Sequence, residues 1–167
     1  MQFADELKSY VTSLENAPTN YGVAVAALIF NENGELLLQE RGEKVRSEPG
    51  TLEGIGGAVD EGETDLYETL QREIKEEIGD VEVSIETLLT VIIRPSTKDL
   101  NFWWVLPIYL CRLISGVPTI QEPDKCSKLF FTKLEDISED RLSTYQQEIM
   151  QRYKEKYDTE PFYKDQK

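Results

Sequence analysis

The apolar positions of this chain change period several times, and each change marks an element. Phe3, Leu7, Tyr10, Val11 and Leu14 recur at intervals of three and four residues, which predicts an amphipathic helix over residues 3–15. The turn-forming run 16–20 ends it. Residues 21–30 (YGVAVAALIF) are apolar on both alternating faces, as in a central strand covered from both sides. Asn33-Gly34 predicts a hairpin with a primed turn, leading into a second strand over 35–41. A charged loop over 42–50 and a short strand over 52–55 follow.

Helical spacing returns with Leu66, Tyr67, Leu70, Ile74 and Ile78, so a second helix should start at a cap, Thr64 or Asp65, and stop at Gly79. Residues 81–93 read as one long or two short strands, and 102–113 as another, in which Pro107 predicts a sheet edge or a bulge. After a turn at Gly116-Val117-Pro118 and a polar loop over 121–126, residues 129–132 make the last strand. Ser138 is placed to cap a helix carrying Leu142, Tyr145, Ile149 and Tyr153, with Lys154 and Lys156 near its end. The tail, 158–167, is polar and expected to fray. Strands flanking a central helix, with another helix late in the chain, predict an α/β protein built on a mixed sheet between helices. The expected organisation is a single domain: an N-terminal helix over 1–18, a core over 19–137, and a C-terminal helix and tail over 138–167. The first helix could cover the sheet or meet a second subunit in a homodimer, and the sequence alone leaves both open.

Composition narrows the function. A net charge of −14 over 167 residues opposes binding to nucleic acid or to anionic membranes, which need basic surface. No apolar run approaches the roughly twenty residues of a membrane span. The chain starts MQFADELK, without a charged-then-apolar leader, and has only two cysteines, Cys111 and Cys126. A cytoplasmic protein with free buried thiols is expected.

The candidate chemistry lies in GGAVDEGETDLYETLQREIKEEIGD, residues 56–80. On a helix Glu73, Glu76 and Glu77 stand at i, i+3 and i+4 and crowd on one face. Like charges there repel, and the last helical turn prefers cations. The three acids border the apolar stripe, with Glu77 nearly upon it, which sets them at the edge of a cleft. Clustered oxygen ligands in a chain without histidine suit Mg2+ or Mn2+ rather than zinc or copper. Arg72 can pair with Glu68, Glu76 or Glu63, while Gly56, Gly57 and Gly62 let the backbone approach a ligand closely.

Gly57, five residues, Glu63, then Arg72-Glu73-Ile74-Lys75-Glu76-Glu77-Ile78-Gly79 resembles the signature of the Nudix hydrolases. Eight residues, 64–71, separate Glu63 from Arg72 where the family pattern has seven, and Asp80 occupies its final apolar position. The extra residue is expected in the turn or at the first helical residue and bears on the role of Glu63. The resemblance covers about residues 20–137 and implies an α/β/α sandwich with a mixed sheet. It also implies hydrolysis of a pyrophosphate link in a nucleoside diphosphate derivative, a nucleoside triphosphate or a nucleotide sugar, by a metal-activated water. Glu73, Glu76 and Glu77 with the carbonyl of Gly56 or Gly57 would hold magnesium. Arg72 and Glu63 would orient them, and Glu76 is a candidate base. The loop before the last strand is similar to one that carries an acid in some members, which makes Glu122 a further candidate ligand or base. Arg41, Lys44 and Arg46 form a local cationic cluster suited to phosphate, and Trp103 or Trp104 could stack on a base. The alternative is a catalytically silent Nudix-like module that binds a nucleotide or a protein.

Overall fold

The computed structural model describes residues 3–164, with side chains from Asp5 onward. The Phe3 side chain expected on the first apolar stripe, and the last three tail residues, lie outside the described residues. The order of elements is α1 (Phe3–Ser13), β1 (Tyr21–Phe30), β2 (Leu36–Arg41), β3 (Leu52–Glu53), β4 (Ile55–Ala58), α2 (Leu66–Ile78), β5 (Glu82–Pro95), β6 (Trp103–Ser115), β7 (Cys126–Thr132) and α3 (Thr144–Tyr157).

The seven strands form one mixed sheet. Its main path runs β3-β2-β1-β6-β5, with β4 added to β1 and β7 added to β2. Only β1 and β6 run parallel, from Tyr21↔Trp103 to Phe30↔Arg112; the other pairs are antiparallel.

Alternation along β1 sends side chains to two cores, as the two-faced apolar pattern predicts. Val25, Ala27 and Ile29 pack with Leu7 and Val11 of α1 and with Leu66, Leu70, Ile74 and Ile78 of α2. Leu28 and Phe30 pack on the opposite face with Ile149, Met150 and Tyr153 of α3. The sheet is thus sandwiched between helices, and α1 covers it. Cys111 and Cys126 are free and buried.

The structure corrects four sequence expectations. The Asn33-Gly34 turn is not of the primed type, because of its residues only Gly34 has positive φ. Asn31 Oδ1 accepts from the amides of Asn33 and Glu35, so a local side-chain turn outcompetes the two-residue hairpin. β6 is an interior strand, so of the edge or bulge expected at Pro107 the edge does not hold, while β5 shifts register against β6 between Leu88 and Thr90, one pair from Val91↔Pro107. The pairs of β6 with β1 stop at Val23↔Val105 and resume at Ala26↔Ile108, so the bond that proline cannot donate falls in this gap. Ser143, not Ser138, caps α3, its side chain accepting from the Gln146 amide. The tail is not wholly loose: Phe162 is buried beside Phe30, and the Tyr163 hydroxyl donates to the Asn31 carbonyl.

Candidate functional site

β4 and α2 place the acids. Asp65 caps α2, accepting from the amides of Tyr67 and Glu68 at 2.8 and 3.4 Å, and Gly79 ends it with φ 88°. The buried stripe of α2 then presses its last turns against the sheet, and Glu77 comes under Gly56 of β4. The Gly56 amide donates to Glu77 Oε2 at 2.9 Å, and Gln39 of β2 donates through Nε2 to Glu77 Oε1 at 3.3 Å. These two donors are neutral. Burial pushes the Glu77 carboxyl up to about 8. Burial also raises Glu73, against the pull of Arg72.

Arg72 is the hub of the acids. Its Nε and Nη2 grip both oxygens of Glu63 at 2.8 and 3.0 Å, Nη1 meets Glu73 at 2.8 Å and Glu76 at 3.1 Å, and Nη2 donates to the Ala58 carbonyl at 3.1 Å. Of the expected partners Glu63 and Glu76 are engaged and Glu68 is not. This fork holds the Glu63 carboxyl down to about 2 and raises the guanidinium further. The extra residue between Glu63 and Arg72 therefore leaves their pair intact.

The acids differ in exposure. The Glu73 side chain keeps 13% of its surface and Glu76 keeps 53%, so Glu76 is the one open to solvent. Among the described residues no three acidic or cysteine side chains are drawn together tightly enough to enclose an ion, although Nη1 of Arg72 gathers Glu73 and Glu76 on one nitrogen.

Glu122 stands in the loop before β7, where Lys125 Nζ binds it at 2.6 Å. Lys125 feels the charges of Glu77 and Glu73, which puts this loop beside the acids. Arg41 lines a cleft of about 170 Å³ on the α3 face of the sheet, next to β4, and is bonded to Glu53 at 2.7 Å and the Ser47 carbonyl at 2.9 Å. Arg46 lies exposed in the loop and does not line this cleft. Trp103 and Trp104 face opposite sides of β6, and neither lines it. Trp104 packs edge-on to Phe102, ring centroids 5.2 Å apart, above Gly22.

Sequence reasoning missed Gln39, Glu53 and Lys125. Gln39 carried a signal, being a polar residue at the end of the buried run Leu36-Leu37-Leu38. Burial pushes the Glu53 carboxyl up, against Arg41.

The two glycines of β4 serve differently. A Cβ on Gly56 would lie 2.1 Å from the Val25 carbonyl oxygen, within the sheet; on Gly57 it would lie 2.4 Å from the Glu73 carboxyl carbon. Gly56→Ala should lower the melting temperature by several degrees, whereas Gly57→Ala should keep the fold and lower kcat/KM about tenfold by displacing Glu73. Calorimetry and steady-state rates on both variants check this split.

An α/β/α sandwich that sets a carboxylate-bearing helix against a double-glycine strand defines a class of hydrolase. The NUDIX domain pattern matches residues 20–153, and the chain belongs to the NUDIX family as a Nudix hydrolase. It is similar to the MutT NUDIX hydrolase from Burkholderia pseudomallei, with 30% identity over 80% of this chain and 98% of that one, at a TM-score of 0.67. The MutT protein from Methanosarcina mazei Go1 is 24% identical, covering 86% and 97%, also at 0.67. The NUDIX domain of Shewanella oneidensis NrtR complexed with ADP ribose is 19% identical, covering 89% and 96%, at 0.65. Among curated proteins none matches the chain.

Proposed function

We propose that this hydrolase cleaves the pyrophosphate link of a nucleoside triphosphate or a nucleotide sugar, with Mg2+, or Mn2+ in its place, held by Glu73, Glu76, Glu77 and the Gly56 carbonyl. The observation that carries the reading is Glu77, a half-buried carboxylate bonded to the Gly56 backbone with neutral donors only. The residues suit a hard cation: every side-chain donor is an oxygen, and the glycine at 57 leaves Glu73 the space that a Cβ would fill. When bound, such a cation neutralises the diphosphate and makes water a better nucleophile.

The chain's own groups supply the rest. Arg72, anchored by Glu63, fixes where Glu73 and Glu76 can point. Glu76 is the exposed member and serves as base toward the attacking water. Glu122, on the loop facing the acids, is a further ligand or base once Lys125 turns to the substrate phosphates. Arg46, exposed in its loop, draws the phosphates in, while Arg41, held by Glu53 and the Ser47 carbonyl, keeps its place in the cleft wall. ADP ribose bound to a neighbour of the same fold supports a small nucleotide conjugate as substrate. With a net charge of −14, and no described helix long and apolar enough to cross a membrane, the proposal includes a cytoplasmic setting.

The test is a panel of nucleoside triphosphates and nucleotide sugars, assayed for released phosphate, pyrophosphate and nucleoside monophosphate with Mg2+, with Mn2+ and with EDTA. Turnover should require the metal. Activity that survives EDTA would overturn the metal assignment, and ligand-induced thermal stabilisation without turnover would make the protein a silent binder. The extra residue between Glu63 and Arg72 is the feature that favours that alternative, and the Arg72–Glu63 pair formed in spite of it supports the hydrolase reading.

A further inference from the structure

Gln146 of α3 is a polar residue on an apolar stripe: it keeps 2% of its surface exposed and stands in the wall of the cleft that Arg41 lines. The Gly54 amide donates to its Oε1 at 2.9 Å. That bond fixes the amide's orientation, because only the oxygen can accept. Its Nε2 is therefore left buried, with two donor protons and no acceptor. Buried donors in folded proteins are nearly always met, so one left over on a cleft wall calls for a ligand atom.

Position ties this donor to the acids. Gly54 accepts from Gln39 Nε2 at 3.1 Å through its carbonyl and donates to Gln146 through its amide, while the same Gln39 donates to Glu77. One residue of backbone thus separates Gln146 from the group that holds Glu77. The surroundings say which acceptor fits. Ala24, Ala26, Leu106 and Ile149 give the lining an apolar patch beside Gln146, the Glu53 carboxyl on the same wall would repel a diphosphate, and Arg41 is already bonded to Glu53 and Ser47. A diphosphate would need unengaged cations, whereas a flat neutral ring needs none. The volume of about 170 Å³ is below the ~300–1,000 Å³ of clefts that enclose a drug-sized ligand, and suits one ring system.

We propose that Gln146 reads the base of the substrate: its NH2 donates to the carbonyl at C4 of a pyrimidine or C6 of a purine, so that uridine and inosine or guanosine nucleotides are preferred over cytidine and adenosine nucleotides, which carry an amino group there. The inference rests on the hydrolase reading above and adds the substrate class to it.

Matched pairs isolate the contact, since UTP and CTP, or ITP and ATP, differ at the tested edge by a carbonyl against an amino group. With Mg2+, kcat/KM should favour the carbonyl member of each pair by about 10- to 100-fold. Gln146→Glu keeps an acceptor for the Gly54 amide but turns the reading atom from donor into acceptor, so the ratio should fall below one. A wild-type ratio near one alongside clear hydrolysis overturns the inference and leaves the hydrolase reading standing. An equal loss on every substrate in the variant would put the NH2 on the diphosphate and also overturn it. Where no substrate in the panel turns over, the hydrolase reading fails instead, and calorimetry with UDP and CDP then decides: tighter UDP supports the base contact, and equal affinity or no binding ends it. Should Gln146→Glu not fold, the wild-type ratio decides alone.

Discussion

Glu77→Gln should stabilise the metal-free protein while removing its activity. Glu77 is half-buried under Gly56, and its bonded partners are an amide N–H and the NH2 of Gln39. With the folded carboxyl at about 8 against an ordinary 4.5, the sign is that of a raised acid. Its contribution to stability is fully present below pH 4.5 and is lost as pH rises through 8. At pH 7 the loss amounts to about 3 kcal/mol. A glutamine can still accept from the Gly56 amide, although its own NH2 then faces that of Gln39 and returns part of the gain. The variant should melt about 5 °C above the wild type at pH 7 in EDTA, with the gap closing toward pH 5. Activity should fall on the order of a thousandfold, because a charged oxygen beside the Gly56 carbonyl is gone. Calorimetry across pH 5 to 8, with EDTA and with Mg2+, checks both halves. A variant that melts below the wild type at pH 7, or that is still stabilised by Mg2+ to the wild-type extent, would remove Glu77 from the site.

What the sequence made legible follows from range. Strand β1 and helix α2 were readable because their patterns are local: Tyr21–Phe30 is apolar on both faces, and Leu66, Leu70, Ile74 and Ile78 repeat with the helical period. The three glutamates belong to that one helix, so their spacing announced them. α3 began late because Ser143 donates its amide to the Leu52 carbonyl, and Leu52 pairs with Leu142, a contact no local pattern carries. The tail misled because Phe162 and Tyr163 sit among charged residues, whose average hid two anchoring rings. The site's missing members come from other elements: Gln39 from β2, Glu53 from β3, Lys125 from the loop before β7, and Gln146 from α3. Gln39 and Gln146 could have been found as single polar residues on apolar stripes. Glu53 and Lys125 gave no such signal, since charged residues near a turn are ordinary.

Arg72→Lys is the second large effect, because the site uses the shape of the guanidinium as much as its charge. Five donors on a planar fork reach Glu63 twice, Glu73, Glu76 and the Ala58 carbonyl at once, and 26% of the side chain remains exposed. An ammonium is a point charge that cannot span these partners. Lysine at 72 would leave Glu63, Glu73 or Glu76 without its cation, and Glu73 is the costly one because its side chain is the most covered of the three. The fold should lose about 2 kcal/mol. kcat should fall about a hundredfold with KM less changed, as expected when the groups around the scissile bond are misplaced but the base cleft is untouched. Acid stability supplies a readout that a packing defect would not mimic. Glu63, held at about 2 by Arg72 against an ordinary 4.5, contributes stability above pH 4.5 that is lost as pH falls toward 2. In the variant that descent should flatten, because Glu63 returns to an ordinary carboxylate. A variant with an unchanged acid limb and unchanged kcat would show that the loop between Gly57 and Glu63 is held without the fork, and that Arg72 positions nothing.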